Sequence, residues 1–137
     1  MRQKVAHAAT ARNNQYITPE EAAAGVRAIA RLFKKWQLED DDACLLLGGV
    51  SKSTWTRWKN GNVVRVNRDL GTRISLLLGI HKGLRHFFID ANQGYAWIKK
   101  PNLTFGGQSA LDVMREGSIF SLQRVRRYLD GEPGGAC

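Results

Sequence analysis

The chain has 137 residues, 43% of them hydrophobic, which suits one compact domain or two small ones sharing a core and excludes wholesale disorder. Its formal net charge is +9 and its pI about 10.1, a balance that favours a polyanionic partner. No apolar run approaches the ~20 residues that span a bilayer, and two cysteines, Cys44 and Cys137, make no disulfide framework.

Residues 1–16 are polar and basic, with Arg2, Lys4 and Arg12 and no acid. They lack the apolar stretch of a secretory signal, so a loose arm and a cytoplasmic protein are expected. "TPEE" then opens the first helix. Thr18 is a good N-cap, Pro19 fits the first helical position, and Glu21 completes a capping box. Val26, Ile29, Ala30, Phe33 and Trp36 follow helical periodicity, so one face is buried. Arg27, Arg31, Lys34 and Lys35 take the wetter positions.

"EDDDACLLLGG" reads as a second helix. Its acids sit where the helix dipole favours them, Cys44 reads as a small buried hydrophobe, and Gly48 and Gly49 stop it. "SKSTWTRWKNGN" follows as a short basic helix, ended by Asn60-Gly61. "VVRV" is irregular and reads as a loop. A long helix is expected from about residue 67 to 88, with Leu70, Ile74, Leu77, Leu78 and residues 80–84 on a broad apolar face. Residues 89–100 carry a short helix ended by Pro101. Ser109 with Asp112 looks like the capping box of another, broken by Gly117. "SIFSLQRVRRYLD" makes the last, with Ile119, Leu122, Val125, Tyr128 and Leu129 on one side. No strand and no repeat stands out, so the class is all-α.

The charge is unevenly placed. Residues 50–86 hold eight Lys/Arg and one acid, a net +7, while the segments before and after hold +1 each. A concentrated excess is the footprint of a nucleic-acid partner. The three histidines, His7, His81 and His86, have no metal spacing with either cysteine, so no metal and no cofactor is expected.

A helix, a glycine turn and a short second helix make a helix-turn-helix. Trp55 and Trp58 lie three apart and share a face, which is assigned to the core. Lys52, Ser53, Thr56 and Arg57 lie on the other side, with Lys59 nearby. Arginine and lysine reach guanine edges in the major groove, and hydroxyl side chains reach bases or phosphates. "FGGQS" lacks the Gly-Lys-Ser/Thr ending of a phosphate loop, and Ser109 lacks a nucleophile elbow and a histidine partner. No paired carboxylates suggest acid–base work, so the chain is not expected to be an enzyme.

"GVSKSTWTRWKNGN" resembles the turn and recognition helix of Xre-type DNA-binding domains, which often read Gly-Val-Ser-x-x-Thr-apolar-x-x-Trp-x-x-Gly. Gly49, Val50, Trp55, Trp58 and Gly61 match that pattern. The resemblance implies that Lys52, Ser53 and Arg57 face base edges, and that Thr54, Thr56 and Asn60 support or touch phosphates. Lys59 stands where relatives often carry glutamate, which adds backbone attraction. Trp55 is bulkier than the usual isoleucine.

"AWIKKPNLTFGGQSALDVMREGSIFSLQRVRRYLDG" resembles the toxin-binding region of Xre/MbcA/ParS antitoxins. Together the two stretches cover roughly residues 16–131 in family order. Beyond the basic arm over 1–16, the resemblance implies a helix-turn-helix domain over 17–82 and a small helical toxin-binding and dimerisation domain over 83–137. It implies a type II antitoxin that represses its own operon at operator DNA and neutralises a RES-type, NAD-consuming toxin. A homodimer, within a larger toxin–antitoxin complex, is the expected assembly. Trp97, Phe105, Gly106, Gly107, Arg124, Arg126, Arg127 and Tyr128 are its candidate toxin-binding residues, although Trp97, Ile98, Phe105, Leu111 and Met114 first of all suit a small core. The alternative is a dimeric helix-turn-helix regulator with no toxin.

Overall fold

The computed structural model describes residues 18–63 and 66–131. Seven α-helices lie among them: α1 (Pro19–Lys35), α2 (Asp40–Leu46), α3 (Lys52–Lys59), α4 (Arg68–Phe87), α5 (Ala91–Trp97), α6 (Ala110–Met114) and α7 (Ile119–Leu129). A 3-10 turn, Leu103–Phe105, precedes α6, and the described residues contain no strand beyond an isolated Pro101–Ser109 bridge. The all-α expectation therefore holds. The expected arm, Val64, Arg65 and the C-terminal tail lie outside the described residues.

The local signals act as expected. The Thr18–Glu21 capping box closes at both hydrogen bonds, 3.1 and 2.9 Å. Asn67 caps α4 by accepting from the Leu70 N–H, and Ser109 with Asp112 forms the second capping box. One continuous apolar core runs through both halves of the chain. α4 is its spine. It packs on α1 and, most extensively, on α7.

One side chain departs from the sequence reading. Arg73, one of the eight Lys/Arg that make residues 50–86 basic, is only 7% exposed. Its Nε donates to Asp69 Oδ2 at 2.8 Å, one turn earlier on α4, and its Nη1 lies 3.4 Å from the Leu46 carbonyl. A buried guanidinium is tolerated only when paired, and here the pair also braces the turn after α2. The mean charge of residues 50–86 thus overstates the field at the surface.

His81 on α4 is half-buried and stacks on Tyr95 of α5, ring centroids 6.4 Å apart. Burial, then the charges of Arg85 and Lys35, hold its imidazole below the ordinary histidine value of 6.5. Among the described residues no helix is long and apolar enough to cross a membrane, and no group of three or more His, Cys, Asp or Glu could hold a metal ion.

Two outcomes follow. Gly48 and Gly49 both have positive φ, but a Cβ at Gly48 would stand 2.9 Å from Arg73 Nε while one at Gly49 meets nothing. Gly49→Ala should lose about 1–2 kcal/mol to backbone strain, and Gly48→Ala more, as read from urea midpoints. Because folding depresses the His81 pKa, the unfolded chain binds its proton more readily. Stability should be full above about pH 6.5 and fall as pH drops below it. His81→Phe should flatten that part of the profile.

Candidate nucleic-acid interface and partner-facing surface

The turn between α2 and α3 is built from two successive left-handed glycines, Gly48 (φ 95°) and Gly49 (φ 87°). Their N–H groups donate to the carbonyls of Leu45 and Cys44, at 3.0 and 2.8 Å, which satisfies the end of α2. The chain then turns sharply into α3. Ser51 caps α3, its Oγ accepting from the Thr54 N–H at 3.1 Å.

Trp55 and Trp58 are both buried, as the spacing required. Trp55, 2% exposed, packs its ring against Phe33 of α1 at 5.8 Å and donates its indole N–H to Asp40 Oδ1 at 3.1 Å. With that face turned inward, Lys52, Ser53, Thr56, Arg57, Lys59 and Asn60 are exposed, and Thr54 is half-buried. Thr54 does not point freely outward. Its Oγ1 accepts from the Ser51 hydroxyl at 3.0 Å and from Arg57 Nη2 at 3.2 Å. Arg57 is therefore pre-oriented by a neutral partner that competes weakly for its charge.

The two lysines are held differently. Lys52 Nζ lies 2.8 Å from Asp41 Oδ1, and that hydrogen bond, then the charge, raise the lysine's pKa. Lys59 Nζ lies 3.1 Å from Asp40 Oδ1 and 5.6 Å over the Trp55 ring. Its hydrogen bond is the main cause that keeps the Asp40 carboxyl below the usual range, against an opposing burial penalty.

In the C-terminal half, "PNLTFGGQS" forms a closed loop. The Asn102 carbonyl accepts from Phe105 and Gly107, and its side chain accepts from the Thr104 N–H. Gly106 and Gly107 are exposed and take positive φ, which the loop requires. Phe105 is 2% exposed. Its ring meets Tyr128 at 5.3 Å and Trp97 at 6.5 Å, and Trp97 stacks on Tyr128 at 5.7 Å. Phe105 is thus a packing residue in this structure, whereas Trp97 and Tyr128 are half-buried and each keeps part of its surface outside. The Arg124 guanidinium lies 5.2 Å over the Phe105 ring, and its Nη2 donates to the Thr104 carbonyl at 3.3 Å. Arg126 is half-buried, lies against Gly79 of α4, and pairs with Asp130 at 3.6 Å. Arg127 is exposed.

Two residues missed by the sequence reading stand out. Leu103 is 94% exposed and Phe120 78%. Leu103 adjoins Thr104, and Phe120 lies one turn before Arg124 on α7, so both flank the Arg124–Thr104 contact. A signal existed for Phe120, which falls off the 119/122/125/129 stripe. The exposure of Leu103 follows only from the loop's closure.

Residues 15–79 match the family described as the antitoxin Xre-like helix-turn-helix domain. Residues 84–135 match the antitoxin Xre/MbcA/ParS C-terminal toxin-binding domain. The chain is also 38% identical over 112 residues to the uncharacterized protein y4oB of Sinorhizobium fredii (strain NBRC 101917 / NGR234), covering 82% of this chain and 86% of that protein. With the helix-turn-helix geometry and the C-terminal loop in place, the chain belongs to the Xre-type antitoxin family, and carries that family's DNA-binding and toxin-binding domains in order.

Proposed function

We propose that this antitoxin represses its own operon as a homodimer and neutralises a RES-type, NAD-consuming toxin, without itself performing chemistry. The observation that carries the DNA half is the sorting of α3: both tryptophans inward, and Lys52, Ser53, Thr56 and Arg57 outward. Lys52, Ser53 and Arg57 are assigned to base edges, and Thr54, Thr56, Lys59 and Asn60 to supporting or phosphate contacts. A dimer would present two such helices to an inverted repeat.

The division at residues 82/83 is proposed as functional, since α4 runs unbroken across it. Operator contact belongs to the first part and toxin contact to the second. The exposed Leu103 and Phe120 support a toxin surface around Arg124, with Trp97, Gly106, Gly107, Arg127 and Tyr128 at its edges. The RES assignment rests on the resemblance of "FGGQSALDVM" and its flanks to that antitoxin group. Its test is coexpression with the product of the adjacent gene, followed by an NAD-consumption assay of that product with and without this chain. Inhibition is expected. A chain that binds an inverted repeat but neither binds nor inhibits its neighbour would be a regulator without a toxin.

Arg57→Ala should weaken operator binding by roughly 1–3 kcal/mol and relax one base position, measured by titration against a panel of duplexes. Leu103→Asp with Phe120→Asp should abolish toxin inhibition. Both side chains are already in water, so stability should stay within about 0.5 kcal/mol and operator affinity should hold.

A further inference from the structure

Three consecutive aspartates open α2, and each has a different partner. Asp40 accepts from the Trp55 indole and Lys59, Asp41 pairs with Lys52, and Asp42 pairs with Arg115 at 2.9 Å beyond α6. The helix that reads DNA in the proposal above carries three cations: Lys52, Arg57 and Lys59. Two of the three are already engaged by acids of the same fold. The dipole of α2 stabilises those acids where they stand. They put negative charge beside the recognition helix, where a phosphate backbone would bring more.

We infer that Asp41 competes with DNA for Lys52, and thereby sets the operator affinity and its salt dependence. The inference rests on the DNA-reading role proposed for α3. The Lys52 and Asp41 side chains are 68% and 71% exposed, so their pair is weak enough for DNA to displace. Lys52 enters the complex only by leaving Asp41, which then stands unpaired near the backbone. Asp40 differs in kind. Its lysine is also held over the Trp55 ring, and Asp40 itself anchors the indole, so Asp40 and Lys59 are positioning residues for α3.

Asp41→Asn removes the charge, keeps the size, and breaks no contact with the core. In the full chain it should tighten operator binding about two- to five-fold, and steepen the plot of log K against log salt by up to about 1, because no unpaired Asp41 is left to take up a counterion against those released from the DNA. Removing any acid raises the net charge, so Glu39→Gln is the companion. Glu39 is exposed, adjacent, and without an ion pair among the described residues. It should give a smaller gain and an unchanged slope. The decisive comparison is made with Lys52→Ala, in whose background the Asp41→Asn gain should fall to that of Glu39→Gln. A gain that persists in full without Lys52, or a gain from Asp41→Asn alone no larger than that of Glu39→Gln, overturns the competition. A wild-type chain that binds no duplex at all overturns the DNA reading, and the inference with it.

Discussion

The orientation of α3 depends on one buried side chain. Trp55 lies between Phe33 of α1 and Asp40 of α2, with its ring desolvated and its only polar atom satisfied. Rolling α3 about its axis would expose that ring and break the indole hydrogen bond together. Burial of an aromatic of this size stabilises by several kcal/mol, of the order of 3–5 when lost to alanine. The same contact that holds the helix therefore decides which residues look outward. The Ser51–Thr54–Arg57 hydrogen bonds then refine the outer face, turning an arginine with many rotamers into one with a preferred direction.

The second constraint is the surface of α4. Gly79 and Gly83 stand one turn apart on the side facing α7. A Cβ at Gly79 would approach the Arg126 guanidinium to 2.5 Å, and one at Gly83 would approach Leu129 Cβ to 3.0 Å. Their small size lets α7 press close on α4. At its other end, α4 carries Arg73, whose guanidinium fills the space above Gly48 in the turn. One helix thus buttresses both the turn of the helix-turn-helix and the C-terminal half.

The halves meet a second time at α2. Arg115 leaves the end of α6 to pair with Asp42, and Gly117 brings the following turn against the Leu45 carbonyl. Asp42 is the most sheltered of the three aspartates whose pairs are described, at 20% side-chain exposure, so this pair is screened less than its neighbours. The acidic start of α2 thereby touches the recognition helix on one side and the toxin-binding domain on the other. Charge in this protein is arranged by contact as much as by count.

Periodicity and capping chemistry were enough to determine the helices, their order and their inward faces. The Thr18–Glu21 and Ser109–Asp112 boxes, the Gly48-Gly49 and Asn60-Gly61 stops, and the buried pair Trp55/Trp58 are all local patterns, set within a turn or two of chain. The motifs were likewise sufficient for the family, because they are short runs in fixed order. What local pattern could not decide was partnership across the fold. Arg73 counted toward the basic excess until Asp69 and Leu46 enclosed it, Phe105 suited a core from the start but met its partners only once Trp97 and Tyr128 were laid against it, and the pairing of Lys52 and Lys59 needed α2 laid beside α3. These depend on residues as many as 27 positions apart, and only packing brings such residues within reach of one another.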